Sequence, residues 1–544
     1  MLMIMADWTG SWAFFLSVFM TPWDFGVARK GPAILHHSFI TVWNAPSQAC
    51  QEKYNVSLDL GIFDVVLNQN EFFSGEDITL FYSNRLGYYP YYTEDGFPVF
   101  GGLPQNASLK DHLQKAQQDI KEVIEEVGFE GLAVVDWESW RPLWVRNWDS
   151  MEIYQNKSID LVKEKHPDWP ADKVARTAQL EFEQSGRAFM EQTLALGKTL
   201  RPGGFWGFYG FPNCYNYDYK NASYTGDCPE TEKQRNEELQ WLWNQSRALY
   251  PSIYLPKDLE FLNKTLKFVR HRIQEAFRMA NQSGDGSIPV LPYASLAYEF
   301  TQIFLTQEDL AHTIGESASQ GAAGVILWGS SNYSYSQEAC LGVKKYVDTL
   351  LGPYIVNVTS SAKLCSQVVC SKNGRCVRQD NHPEAFLHLS PDHYTITKHP
   401  KEPGFILTGY LSKEDLVKMA EEFKCRCYSG WEGLRWIRLK LLAPFCTKTV
   451  PFEYPWHVQL QKFASYKKMF PVSEKVCLSS PSRGRLEASI CCMFSPLCQA
   501  LGQMWATTEG PGGEVPVFCP GTFRELHELA KKKRKKWKQM KMYI

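Results

Sequence analysis

Several things are missing from this sequence, and each absence removes a class of function. There is no excess of charge. The 58 Lys and Arg against 59 Asp and Glu leave a formal charge of -1, so no global field steers the chain toward nucleic acid or an anionic membrane. No stretch beyond the amino terminus is long and apolar enough for a transmembrane helix, so a soluble mature protein is expected. No Gly-rich phosphate turn follows the first predicted strand, which speaks against a doubly wound nucleotide-binding sheet. Neither a metal nor an organic cofactor is implied.

What is present points to an oxidising compartment. Fifteen cysteines would be unusual in a reducing cytosol. Nine Asn-x-Ser/Thr sequons occur, at Asn55, Asn106, Asn156, Asn221, Asn244, Asn263, Asn281, Asn332 and Asn357. The run from Trp12 to Met20 is apolar and of signal-peptide length, although it lacks a basic flank and a clear cleavage site. The chain is therefore assigned to the secretory pathway, lysosomal or secreted, with residues 1–30 as signal sequence and leader. Aromatic residues reach 14%, with 18 Trp and 26 Tyr. A bulky core would explain that, and so would flat platforms for sugar faces.

At 544 residues the chain can bury a barrel-sized domain and a smaller module. Apolar runs alternate with amphipathic stretches between about residues 38 and 355. Strands are predicted at 39–46 (FITVWNAP), 131–140 (GLAVVDWESW), 205–212 (FWGFYGFP), 249–256 (LYPSIYLP), 288–298 (IPVLPYASLAY) and 321–331 (GAAGVILWGSS). Between them, a helix is predicted from Ser108 as N-cap to Gly128, with Leu109, Leu113, Ala116, Ile120, Val123, Ile124 and Val127 as one apolar stripe. Others are predicted near 180–200, over 259–277, and after Thr306 as a cap. Strands alternating with helices imply a parallel sheet closed into a barrel, with an open doubly wound sheet as the alternative.

Beyond residue 360 the character changes. The spacing Cys365-x4-Cys370-x5-Cys376, followed by Cys425-x-Cys427, reads as an EGF-like disulfide module with a long insertion. A zinc site is the competing reading, weakened by the lack of paired C-x2-C knuckles. After about residue 434 no convincing periodicity remains, and the chain ends in the basic run KKKRKKWKQMK, a solvated tail or a polyanion contact.

The predicted strands end in polar and aromatic residues: Asp136-Trp137-Glu138, Tyr209, Tyr254, Tyr293 and Trp328. Barrel active sites lie at the carboxyl ends of the strands. On a strand, Asp136 and Glu138 would face the same side roughly 6.6 Å apart. Two neighbouring carboxyls resist ionising together, so one should keep its proton at a raised pKa. An acid beside an anion is what glycosidic cleavage needs. Two solvated carboxylates at a strand end are the plainer reading.

The segments VVDWESWRPLWVRNW, GFWGFYGFPNCYNYDY, SRALYPSIYLP and GESASQGAAGVILWG resemble the signature segments of the hyaluronidases of glycoside hydrolase family 56, over about residues 38–432. VFGGLPQNASL is nearest to the vertebrate lysosomal members. The resemblance implies a distorted (β/α) TIM-type barrel and an endo-β-N-acetylhexosaminidase acting on hyaluronan, and more slowly on chondroitin. It implies a retaining mechanism in which the substrate's acetamido oxygen forms an oxazolinium ion. Glu138 would be the acid, Asp136 would orient the acetamido group, and Tyr209, Tyr254 and Trp328 would hold it. Tyr82, Arg141 and Ser252 would contact the polymer, with Tyr293 and Glu299 also lining the groove; the family usually has Asp at the place of Glu299. The implied disulfides are Cys50–Cys340, Cys214–Cys228, Cys365–Cys376 and Cys370–Cys425, and Cys427 lacks its expected partner. The implied organisation is a catalytic barrel over 31–360, an interrupted EGF-like module over 361–433 and an irregular, largely disordered tail over 434–544. Hyaluronan and related glycosaminoglycans are the expected partners of a monomer. A glycan-binding protein that has lost catalysis is the alternative of another class.

Overall fold

Seven short strands carry the framework: β1 (Ile40–Asn44), β2 (Val65–Val66), β3 (Ile78–Tyr82), β4 (Leu132–Asp136), β5 (Phe205–Phe208), β6 (Tyr293–Ser295) and β7 (Gly324–Trp328). The computed structural model describes residues 37–69, 73–260, 262–283 and 288–428, and four strands beyond. All framework pairings are parallel, in the orders β2-β1-β7-β6 and β3-β4-β5. Single parallel bridges at Tyr209–Tyr250, Leu249–Val290 and Ser252–Tyr293 join the two sheets through residues 249–252. A full strand was expected there. Pro251 and Pro256 carry no N–H, and Pro289 and Pro292 stand on the facing segment, so only isolated bridges form.

Alternation along the strands decides what faces inward. Ile40, Val42, Ile78, Leu80, Leu132, Val134, Phe205, Tyr293 and Ile326 share one core. The intervening Trp43, Val325 and Leu327 pack in a second core, and Phe81, Ala133, Val135, Trp206 and Phe208 in a third. A sheet covered on both faces explains why these strands read as unbroken apolar runs.

Helices flank the strands. α1 (Leu109–Val123) starts at Ser108, whose hydroxyl accepts from the Asp111 N–H at 3.3 Å. It stops five residues before Gly128, because Ile124 leaves helical geometry. Its buried face is His112, Ala116, Asp119 and Ile120, and Val127 is 70% exposed, which removes it from the expected stripe. α2 runs 30 residues, Ala171–Leu200, and α3 spans Thr265–Gln282, six residues later than its predicted start. The predicted cap at Thr306 is a complete capping box with Asp309, although the helix it opens passes through a π-turn at Ala311–Gly315. α4 (Gly352–Val369) and strands β2 and β3 have no counterpart in the sequence reading.

Four disulfides join Cys50–Cys340, Cys214–Cys228, Cys365–Cys376 and Cys370–Cys425. Cys427 is disulfide-bonded too, to a cysteine other than these eight, which corrects the expectation that it lacks a partner. Strand Gly374–Arg378 pairs antiparallel with Phe423–Cys427, setting Cys376 opposite Cys425. The insertion between these halves holds the hairpin Tyr394–Lys398/Phe405–Gly409 and the helix Lys413–Glu422. Further on, Trp431–Leu434 pairs with Phe445–Lys448 and Lys475–Leu478 with Ala488–Cys491. Strand structure is thus present in a stretch expected to be irregular; the remainder of that stretch, its basic end and the apolar run at 12–20 lie outside the described residues. By contacts, Met1–Thr449 and Val450–Ile544 are separate units. Among the described residues no helix is long and apolar enough to cross a membrane.

Candidate active site

The inward alternation of the strands reaches its last position at Asn44, Tyr82, Asp136, Tyr209 and Trp328. Register sets these at one level: Tyr82 lies opposite Asp136, Asn44 opposite Trp328, and the Tyr209 N–H donates to the Val135 carbonyl at 2.9 Å. Tyr82, Tyr209, Tyr254 and Trp328 all pack on the inner core.

β4 ends at Asp136, so Glu138 stands two residues beyond the strand rather than on it. The expected pairing of the two carboxyls is nevertheless present. Trp137 turns outward, 3% exposed, and stacks on Tyr89 at 4.6 Å with Phe208 at 5.4 Å. That anchor brings the chain back and sets the Asp136 and Glu138 carboxyls in hydrogen-bond contact. Burial, then the charge of Glu138 and the hydrogen bond to it, push the Asp136 carboxyl up to about 8, against a smaller pull from Arg141. The pair thus holds a proton, and the buried member keeps it. The second Asp136 oxygen, Oδ1, is buried without a hydrogen-bond partner.

Glu138 is open, with its side chain 57% exposed. Arg141 sits against it: Nη1 donates to the Glu138 carbonyl at 2.9 Å, and Nη2 lies 3.5 Å from Oε2. The loop after Arg141 is clipped by the fully buried Asn147. Its Oδ1 accepts from the Arg141 N–H at 2.8 Å, and its Nδ2 donates to the carbonyls of Arg141 and Leu143 at 2.8 and 3.0 Å.

Opposite the pair is a wall of rings. Tyr209 and Tyr254 lie 6.1 Å apart, Tyr254 stacks on Trp328 at 6.1 Å, and Tyr293 meets Tyr209 edge-on at 5.1 Å. Hydrogen bonds link the Tyr209 hydroxyl to Ser252 and Tyr254. Burial, then the charge of Glu138, raises the Tyr209 pKa, so the phenol remains a donor. The Tyr254 and Tyr293 phenols are raised by burial as well, with Asp136 adding to both. The Tyr293 hydroxyl is buried without a partner.

Most of the sequence-predicted residues thus meet in one place. Glu299 stands apart, four residues beyond β6; burial raises its carboxyl, and its charge is felt by Arg272 and Tyr219. Asn44 was missed. It is fully buried, and both amide atoms lack partners. A single Asn closing an apolar run was the available signal. Among the described residues no three His, Cys, Asp or Glu gather as metal ligands would.

Comparison with known proteins places the chain in one family. The hyaluronidase family model matches residues 28–438. Hyaluronidase-1 of Homo sapiens is 51% identical over 432 residues, covering 79% of this chain and 97% of that protein. Hyaluronidase-1 of Sus scrofa is 52% identical over 404 residues, or 74% of this chain and 93% of the relative. Among solved structures, bee venom hyaluronidase in complex with a hyaluronic acid tetramer superposes with a TM-score of 0.52 at 32% identity, covering 58% of this chain and 98% of that one.

Proposed function

The chain belongs to the hyaluronidase family of glycoside hydrolases, family 56, and from that premise we propose that it cleaves the N-acetylhexosaminidic bond of hyaluronan, and chondroitin more slowly, by substrate-assisted retention. The observation that carries the mechanism is the contact between Asp136 and Glu138. In retaining glycosidases that use an enzymic nucleophile, acid and nucleophile flank the sugar about 5–5.5 Å apart, and inverting enzymes need more room still. Carboxyls that touch each other leave no space for an anomeric carbon between them. One must serve as acid and the other must act on a nucleophile the substrate brings.

The assignment follows from exposure. Glu138, open to the groove, protonates the leaving oxygen and afterwards activates water. Asp136, buried, faces the acetamido N–H with its unpaired Oδ1. Tyr209 and Tyr254 hold the acetamido group by their hydroxyls, and Trp328 packs against its methyl. As positive charge develops beside Asp136, its ionised form is favoured, and the proton shared by the pair passes through Glu138 to the leaving oxygen. Tyr82, Ser252 and Tyr293 shape the same pocket, Glu299 lines the outer groove, and Arg141 suits a uronate carboxylate.

The framework is read as a distorted barrel closed between β2 and β3, followed by an EGF-like module built on the Cys376–Cys425 strand pair. The test is stereochemical. Proton NMR of freshly cut oligosaccharide should show the β-anomer of the new N-acetylhexosamine end before mutarotation; the α-anomer appearing first would eliminate the retaining route.

A further inference from the structure

Behind Arg141 the surface folds into a cleft of about 20 Å³, lined by Arg141, Arg146, Phe211, Asn213, Glu232 and Arg235 among others. That space excludes a sugar ring. Its charge is unbalanced. The buried Glu232 carboxylate is shared by two guanidiniums, Arg146 at 3.1 Å and Arg235 in a closer contact, and Arg141 adds a third. Three cations face one carboxylate inside the cleft. At the mouth Arg141 lies 3.5 Å from the Glu138 carboxylate. Burial lowers the Arg146 pKa, and although Glu232 pulls it back, the charges of Arg235 and Arg141 oppose that recovery. The Arg146 guanidinium lies 4.4 Å from the centre of the Tyr215 ring, which packs over it.

We propose that Arg146 and Arg235, with Arg141 at the mouth, form an anion subsite that takes a uronate carboxylate of the polymer on the leaving-group side of Glu138. The inference rests on the hyaluronidase reading and adds a specificity element to it. In a polymer where uronate alternates with N-acetylhexosamine, the sugar that leaves when a hexosaminidic bond is cut is a uronate. The cleft is lined by Arg141, whose guanidinium lies 3.5 Å from the Glu138 carboxylate, and by Gly210 and Phe211, which follow Tyr209, so it adjoins the acid and the acetamido-holding rings alike. A uronate joined through the oxygen that Glu138 protonates would lie next to Arg141 at the mouth of this cleft.

The experiment compares wild type, Arg235→Gln and Arg235→Lys by calorimetric binding of hyaluronan oligosaccharides, native or with their carboxylates methyl-esterified, after circular dichroism has confirmed folding. Arg235→Gln should bind the native oligosaccharide roughly tenfold more weakly, as expected for one charged hydrogen bond, and Arg235→Lys should recover most of that loss. On the esterified oligosaccharide the three proteins should bind alike. Equal weakening on native and esterified ligand would reduce Arg235 to a structural partner of Glu232, and no weakening at all would overturn the subsite. Binding is read with each protein in a Glu138→Gln background so that no turnover occurs, and a protein that binds in this way but whose Glu138 form does not cut would refute the hydrolase reading and leave this inference standing.

Discussion

The proton on the Asp136–Glu138 pair connects the chemistry to stability. Asp136 is raised from 3.8 to about 8 by burial first and by Glu138 second, so the folded chain holds a proton that the unfolded chain releases above about pH 4. Folding stability therefore falls between those values as pH rises. Asp136→Asn, which needs no proton, should raise the melting temperature at pH 7–8, leave it unchanged near pH 4, and depress turnover at every pH. A mutant that is no more stable at pH 8 than at pH 4, relative to wild type, would argue that Asp136 is ionised in the folded state. Much of this site was legible beforehand: DWE at the end of an apolar run announced two carboxyls on one side. The sequence could not say which of them keeps the proton, because that follows from burial, set by residues distant in the chain. Asn44 showed in the sequence only as an Asn closing an apolar run; that its amide is orphaned is visible only once β7 lies beside it.

At the scale of elements, the strands were easier to see than their ends. Runs such as LAVVD and GVILW are buried on both faces and announced themselves, whereas the proline-broken stretch around residue 251 and the two-residue β2 have too few ladder hydrogen bonds to leave a pattern. The stripe assigned through Val127 overran α1 because apolar periodicity continued past the residue where the backbone turned. One contact that periodicity does not encode is the buried triad in which Glu316 receives Arg378 at 2.6 Å and Arg270 at 2.8 Å. It ties α3 and the turn after Thr306 to the strand Gly374–Arg378. Burial alone would raise the Glu316 carboxyl, but the two guanidiniums bring it below its ordinary value. Glu316→Gln should therefore cost roughly 3–5 kcal/mol by leaving the buried Arg378 and the half-buried Arg270 underpaired, read as a fall in the urea midpoint. A cost below about 1 kcal/mol would mean that water replaces the carboxylate.

For the whole molecule, the sequons give a second line of support for passage through the secretory pathway. Eight of the nine sequon asparagines are exposed, as glycan attachment requires. Asn357 is half-buried, and its Oδ1 accepts from the Leu389 N–H at 2.9 Å. Peptide mapping after deglycosylation of material from animal cells should find glycans at several exposed sites and none at Asn357; an unglycosylated protein would count against the secretory assignment. The disulfides agree with that route, since Cys50–Cys340 closes the chain across 290 residues and holds the first strand near the last of the framework. The central claim is that Glu138 supplies the proton for cleavage, and its most direct test is the release of reducing ends from purified hyaluronan between pH 3.5 and 9 by wild type and Glu138→Gln. The account predicts wild-type activity that declines as pH passes through about 8, where Asp136 gives up its proton, and a mutant reduced by about 10²–10⁴ with its fold intact. A Glu138→Gln protein that still cuts hyaluronan at near wild-type rate would contradict it.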